Sequence, residues 1–441
     1  MTYPSPNGLL DRSQPAARRD PSALPRLTHT PAATSFASHE RFWGPLPNGR
    51  ALVEQTRRSG LRGRGGAGFP TALKLDAVLA AAAASGRRRR RPIVVANGTE
   101  GEPASAKDRT LLEQTPHLVL DGMVEAAFAV GAGRAIVCVK ADGAAVIASL
   151  EQALAERRSR DEVSLELSIV PAGYVAGEES ALVNWLSSGV PAPTITPPRP
   201  ADRGVEGRPT LVDNVETMAN LALIGRFGAD WWRGVGSGAD PGSILLTISG
   251  AVAAPGVYEV GNGSPLRDAL TLAGAGRTAG VLVGGYFGTW LTAEQAGRAG
   301  LGRESLARFG GSVGCGVVIV LPEHSCPLEE SARVARWLSR QSAGQCGPCV
   351  NGLPAIAGAM EDLARGRDVA QAERHAHRWA DMADGRGACK LPDGTARFVR
   401  SALRTFAPHL ERHRLLGGPC DGLGSESVLH LPGREVSLRW G

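Results

Sequence analysis

Short apolar runs separated by amphipathic stretches set the pattern of the chain's first half. Ile93–Ala96, Ala135–Val139 and Leu165–Val170 read as short buried strands, and Leu118–Val130 and Gly143–Arg157 between them as helices. Strands alternating with helices predict a parallel sheet covered on both faces. Ligands on such sheets bind beyond the carboxyl ends of the strands. Asn97–Glu102 and Gly173–Glu179 both follow strand ends. Near Gly236–Gly242 the pattern changes: Ile244–Ser249, Gly256–Val260, Val281–Val283 and Val317–Val320 look like strands. Ser264-Pro265 reads as a helix start, with Ser as cap and Pro in the first turn. A small mixed domain with one helix fits this stretch. From Pro327 the chain turns helical, with Val334, Trp337 and Leu338 on one face. Residues 1–42, rich in Pro, Ser, Ala and Arg without periodicity, are expected to form a loose arm. After Glu411, glycine-rich segments end in a short apolar tail of no evident role.

Bulk properties narrow the class. A chain of 441 residues with 43% hydrophobic and 21% charged residues reads as a soluble globular protein of two or three domains. No apolar run reaches the roughly 18 residues a membrane helix needs, and no signal peptide is evident, so a cytoplasmic location is expected. Seven cysteines argue against a secreted disulfide framework. The net charge of +6 is moderate. Its densest run, Arg87 to Arg91, is either a solvated loop or a docking patch for an acidic electron carrier. Aromatics are not interleaved with bases, so nucleic-acid binding has no support.

The most informative stretch is Ser59 to Lys74, SGLRGRGGAGFPTALK. Gly63, Gly65, Gly66 and Gly68 sit beside arginines, and Phe69-Pro70-Thr71 open a helix. Backbone amides there can approach a ligand closely, and the helix start adds unpaired donors, an arrangement that suits phosphate. The spacing satisfies G-x-G-x-x-G, yet no strand precedes it, so it lacks the context of a dinucleotide fingerprint. Cys346 and Cys349 form a C-x2-C pair of soft ligands. Cys138, in an apolar strand, reads as core, Cys315 and Cys420 match no pattern, and His117 at a helix start reads as structural.

The whole string, followed in order by Asn97–Arg109 (NGTEGEPASAKDR), Ala172–Leu182 (AGYVAGEESAL) and Pro209–Asn220 (PTLVDNVETMAN), resembles the flavoprotein subunit of respiratory complex I, the F subunit of NADH-quinone oxidoreductase, and related hydrogenase and formate dehydrogenase diaphorase subunits. The resemblance runs from about Trp43 to Leu410. It implies an α/β, Rossmann-like FMN- and NADH-binding domain over 43–236, a ubiquitin-like β-grasp (SLBB) domain over 240–325, a helical iron–sulfur domain over 326–411, and a tail over 412–441. By motif match, the FMN contacts would be Gly63, Arg64, Gly65, Gly66 and Lys74, with Asn97 and Thr99, Tyr174, Gly177 and Glu178, and Asn214 and Thr217. Glu100, Glu102 and Glu179 would stand where a nicotinamide stacks, as the catalytic acidic set. Thr99 occupies the position of the family's flavin-loop aspartate, so ring contacts there must differ.

Two family features are altered. The pair of phenylalanines that hold adenine is replaced by Ala77 and Arg199, which implies weak NADH binding. The family's C-x2-C-x2-C has Ala343 at its first position, leaving Cys346, Cys349 and the distant Cys389 as metal ligands. Three outcomes stay open: a [4Fe-4S] cluster completed by Ser342, Cys326, water or a partner; a [3Fe-4S] centre on three thiolates; or no cluster, the C-x2-C being residual or a redox pair. The implied activity is hydride transfer from NADH to FMN, with electrons leaving through an iron–sulfur centre to a partner within a multi-subunit complex, without membrane insertion. Alternatives are an FMN relay that exchanges electrons with a ferredoxin-like protein without NADH, and a non-catalytic scaffold paralogue.

Overall fold

The structure, a computed structural model, describes residues 23–28, 35–47, 49, 51–84, 91–158, 160–420 and 427–432. Three helices, α1 (Phe36–Trp43), α2 (Leu52–Ser59) and α3 (Thr71–Ala84), lead into β1 (Ile93–Asn97). The expected alternation follows: α4 (Lys107–Gln114), α5 (Pro116–Val130), β2 (Arg134–Lys140), α6 (Ala144–Arg157), β3 (Ser164–Val170), α7 (Glu179–Ser188), α8 (Pro200–Arg203), β4 (Thr210–Asn214) and α9 (Val215–Arg233). The strands are parallel in the order β3-β2-β1-β4. Val94, Ala96 and Val137 face a core shared with α5 and α9, while Ile93, Val95, Ile136 and Cys138 face a smaller one with Leu182 and Val205. Cys138 is therefore core. Strand β4 escapes the apolar-run reading because Thr210-Leu-Val-Asp-Asn holds only two aliphatic residues. Its register sets Asn214 beside Asn97 at the carboxyl edge.

Of the loose arm expected over 1–42, residues 1–22 and 29–34 lie outside the described residues, and the described part, 23–28 and 35–42, is docked on the domain. Leu27 is fully buried, and the Arg26 and Leu27 amides donate to Glu259 at 2.8 and 2.7 Å. Arg26 also donates to the Trp232 carbonyl at 2.8 Å, putting a cation on the C-terminal carbonyls of α9. The Arg87–Arg91 run lies outside the described residues except for Arg91.

A second sheet follows, from β5 (Ser243–Gly250), β6 (Gly256–Gly261), α10 (Leu266–Leu272), β7 (Thr278–Val283), β8 (Thr289–Leu291), α11 (Ala293–Arg298), α12 (Arg303–Ala307) and β9 (Val317–Pro322). Its order is β6-β5-β9-β7-β8, with β5 and β9 parallel and the other pairs antiparallel. This mixed domain carries three short helices rather than one. At the first of them Pro265 is itself the cap residue, with no side-chain cap bond, one position on from the expected Ser264 cap.

The C-terminal part packs α13 (Pro327–Arg340), a π-turn at Pro348–Gly352, α14 (Leu353–Ala364), α15 (Val369–Ala383), α16 (Leu391–Thr405) and α17 (Ala407–Leu416) around one apolar core. The tail boundary at 412 falls inside α17, and Cys420 and Leu429 are buried in the same core. Glu330 holds this segment by accepting from the amides of Val428 and Leu429 at 3.4 and 3.3 Å. Among the described residues no helix is long and apolar enough to cross a membrane.

Candidate functional site

The glycine loop stands between α2 and α3 as a closed turn. An isolated bridge joins Arg62 to Pro70, and the Gly63 amide donates to the Phe69 carbonyl at 2.8 Å. Gly66 has φ of +107°, a backbone state that a side chain would strain. The Arg64 amide donates to Thr217 Oγ1 at 2.9 Å, and its guanidinium reaches the Ser243 carbonyl at 3.0 Å. Gly65 lies against Asn214. The loop is thus pinned to the start of α9, and the first and fourth motifs form one wall.

Lys74 gathers the wall from below. Its Nζ donates to the Val212 carbonyl at 2.7 Å and stands 3.3 Å from Glu179 and 3.7 Å from Asp213. Burial alone would lower the lysine pKa, but Asp213 and Glu179 outweigh it and the group stays charged. Burial pushes Asp213 up to about 6, which Lys74 only partly offsets. Sequence reasoning passed over Asp213; its signal, an acid at the end of an apolar strand, was present.

The second and third motifs lock together. Asn97 Nδ2 donates to the Gly177 carbonyl at 2.8 Å, and the Thr99 hydroxyl donates to Asn97 Oδ1 at 2.7 Å. A Cβ on Gly177 would sit 2.2 Å from that hydroxyl, so the glycine is a close-approach residue here. Thr99 is buried and spends its hydroxyl on Asn97.

Several side chains expected to face a ligand are engaged inside the protein. Glu100 accepts from the Asp108 and Arg109 amides at 2.9 and 3.2 Å and from Ser105 Oγ, so it satisfies first-turn amides of α4. Glu178 caps α7 by accepting from the amides of Ser180 and Ala181. Asn214 caps α9, accepts from Lys107 at 2.9 Å and donates to Asp108 at 2.7 Å. Lys107, Asp108 and Glu216 complete a buried ion network beneath it. Glu179, about half exposed, is the acid of the expected catalytic set that stays open to solvent.

Glu102 is buried and accepts from the Tyr286 amide at 2.8 Å and the Ala104 amide at 3.3 Å, tying the flavin-type domain to the mixed sheet. Burial raises its pKa from 4.5 to about 7 in spite of those two bonds. Because the folded value lies above the unfolded one, folding penalises the ionised form. The penalty is absent below 4.5 and complete above about 7, where it amounts to roughly 3 kcal/mol. Glu102→Gln should therefore flatten the fall of Tm between about pH 5 and pH 8. Parallel wild-type and variant profiles in thermal melts would show that Glu102 does not titrate in this range.

The three cysteines converge from two elements. Cys346 lies just before the π-turn and Cys349 within it, the Cys346 carbonyl accepting from the Cys349 and Val350 amides at 3.0 Å each, and Cys389 lies just before α16. Burial and then Cys346 push the Cys349 thiol up to about 12, and burial raises Cys389 to about 11. The Ser342 side chain hydrogen-bonds to Cys349, which places it beside the set. Cys326 is corrected as a candidate fourth ligand. It lies at the opposite end of α13, a 14-residue helix of roughly 21 Å. Tyr174 lies in the fields of Glu102, Cys315 and Cys389, with its ring edge-on to Phe287 at 5.1 Å and Trp337 at 5.3 Å. It stands between the glycine-loop side and the cysteines.

These features fit the groups the motifs suggest. Arg64 Nε, Thr71 Oγ1 and Asp213 Oδ2 are buried around the loop without a hydrogen-bond partner in the protein, as a phosphate-bearing, hydroxylated ligand would require. The cysteine set offers three soft donors in one place.

Comparison with known proteins agrees with this geometry. The Nuo51 FMN-binding domain family matches residues 56–223, the SLBB domain residues 245–282, and the NADH-ubiquinone oxidoreductase-F iron-sulfur binding region residues 329–413. The second NADH-quinone oxidoreductase F subunit of Rhizobium meliloti is 31% identical over 384 residues, covering 82% of this chain and 89% of that one. The NADH-quinone oxidoreductase F subunit of Mycobacterium bovis is 32% identical over 427 residues, covering 91% and 94%. The crystal structure of NAD+-reducing [NiFe]-hydrogenase in the H2-reduced state superposes with a TM-score of 0.75 at 33% identity, covering 83% of this chain and 63% of that one.

Proposed function

The chain belongs to the family of NADH-quinone oxidoreductase F subunits, and we propose that it is an FMN-dependent electron-transfer subunit of the NADH dehydrogenase type. The observation that carries this reading is Lys74, whose single ammonium joins three of the four motifs beside orphaned buried donors and acceptors. Bound FMN would supply the exchange between a two-electron hydride donor and one-electron carriers. Lys74, with Arg64 behind the loop, provides positive charge for the anionic part of the flavin. Gly63, Gly65 and Gly66 let the backbone approach it. Asn97, Thr99, Gly177, Glu178, Asn214 and Thr217 act one step back, holding the loops at fixed separation. Glu179 orients the incoming nucleotide, while Glu100 and Glu102 position their loop. Cys346, Cys349 and Cys389 hold an iron–sulfur centre, [4Fe-4S] with Ser342 or water as fourth donor, or [3Fe-4S].

The names of the relatives place them as subunits of larger enzymes. We assign this chain likewise to a multi-subunit complex in the cytoplasm, with a ferredoxin-like or other redox subunit as acceptor. Its seven cysteines, all free, accord with a reducing compartment.

One observation favours a second reading, in which FMN is kept but NADH is not used. Ala77 and Arg199 are both exposed, on α3 and at the start of α8, two elements packed together. No ring is offered to adenine from either. Replacing both by Phe should tighten NADH about tenfold or more, at roughly 1 kcal/mol per ring. The deciding experiment is anaerobic purification with assay of FMN, iron and sulfide, then bleaching of the flavin absorbance by NADH. Flavin and iron with bleaching support the NADH dehydrogenase reading. Flavin without bleaching, even in the double Phe variant, supports the relay. Absence of flavin after reconstitution would leave a scaffold.

A further inference from the structure

Cys326, His413 and Cys420 meet at the end of α13 remote from the cluster cysteines. All three are buried, and their ligand atoms lie within 4.8 Å of one another. Cys326 caps α13, His413 sits in the last turn of α17, and Cys420 follows in the tail. His413 Nδ1 lies 2.8 Å from the Leu363 carbonyl, which can only accept, so the proton is on Nδ1 and Nε2 carries the lone pair. That Nε2 stands 3.7 Å from Cys326 Sγ and accepts from the Cys420 amide at 3.1 Å. Cys326 stands as the N-cap residue of α13, at the positive end of that helix, which favours a thiolate there.

We infer that Cys326, His413 and Cys420 bind one zinc ion. Two soft sulfurs and an imidazole with its tautomer fixed by a carbonyl are a zinc donor set. The two thiols release two protons as the ion enters. A dication, two thiolates and a neutral imidazole then sum to no net charge, which suits a buried place. The ion takes over the Nε2 lone pair from the Cys420 amide, and a water fills the fourth position. The role is that of a staple: it fastens the tail after α17 to the first turn of α13, next to the Glu330 contacts to Val428 and Leu429. This site shares no residue with the iron–sulfur set and stands apart from the flavin reading.

The test is metal analysis of the full-length chain, wild type, Cys420→Ser and Cys346→Ser, expressed with zinc and iron and purified anaerobically. About one zinc per wild-type chain is expected. Cys420→Ser should lose it at least tenfold while keeping its flavin, which reports the fold. Cys346→Ser should keep zinc and lose iron. Should Cys420→Ser not fold, Cys420→His retains a donor and should hold zinc. X-ray absorption at the zinc edge should give sulfur at about 2.3 Å and nitrogen at about 2.0 Å. Three results would overturn the assignment: no zinc after anaerobic reconstitution with zinc chloride, zinc that follows Cys346 instead, or a Cys326–Cys420 disulfide in peptide mapping of the native protein.

Discussion

A Lys74→Met chain should purify with its FMN affinity reduced about a hundredfold or more. Loss of the ammonium strands two acids. Asp213 is buried and Glu179 half exposed, and both now face Lys74 within 4 Å. Without the cation, a phosphate or anionic flavin ring would meet two carboxylates instead of a neutralised group. Truncating one partner of a buried, hydrogen-bonded charge pair in a complex commonly costs about 2–5 kcal/mol of binding, and 3 kcal/mol is roughly a hundredfold in affinity. Stability should suffer less than binding. Asp213 already sits near 6 because of burial, and in the variant it can take up a proton and escape an uncompensated charge. Lys74→Arg keeps the charge and should stay within about tenfold of wild type, because the longer planar group cannot also reach the Val212 carbonyl. Flavin per chain, with fluorescence titration of the stripped protein, checks both. Wild-type affinity in Lys74→Met together with a lower Tm would mean that the lysine serves only Asp213.

Much of this site was legible in the sequence because loops after parallel strands are brought to one edge by topology alone. Asn97 ends β1 and Asn214 ends β4, and the parallel register sets them side by side. What could not be read was direction. Glu178 and Asn214 lie just before a helix and Glu100 folds back onto the start of α4, where unsatisfied amides compete with any ligand for a carboxylate or amide oxygen. The helix starts win in all three cases. An acid or amide at a strand-to-helix junction therefore has two readings, and Glu179, one position inside α7, escapes the cap and stays open. The Cys326–His413–Cys420 group was hidden for a different reason. Its members span 87 residues between cysteine and histidine, with no short-range spacing to mark them, and only the return of α17 to the start of α13 unites them. Docking of residues 23–28 was equally invisible, since it depends on Glu259, 233 residues away from Arg26.

Cys389→Ser should leave the protein with less than about a tenth of its wild-type iron. Cys346 and Cys349 come from one turn, while Cys389 is the donor that arrives from another element. Two thiolates from a single turn cannot enclose an iron–sulfur core, whose ligands must reach separate irons. The Cys349 and Cys389 thiols, held at about 12 and 11 by burial, also need the metal's own charge to ionise, so losing one ligand weakens the remaining two. The complementary change is Ala343→Cys. Ser342 already hydrogen-bonds Cys349, so the adjoining position runs beside the set, three residues before Cys346. A thiol there should supply a fourth donor and slow iron loss in air on the order of tenfold. Iron and sulfide per chain, followed against time of air exposure, measure both effects. If Cys389→Ser keeps its iron, the metal is held elsewhere. If Ala343→Cys gains nothing while Ser342→Ala loses iron, the serine hydroxyl is the fourth ligand, and the alanine marks a substitution that the serine has made tolerable.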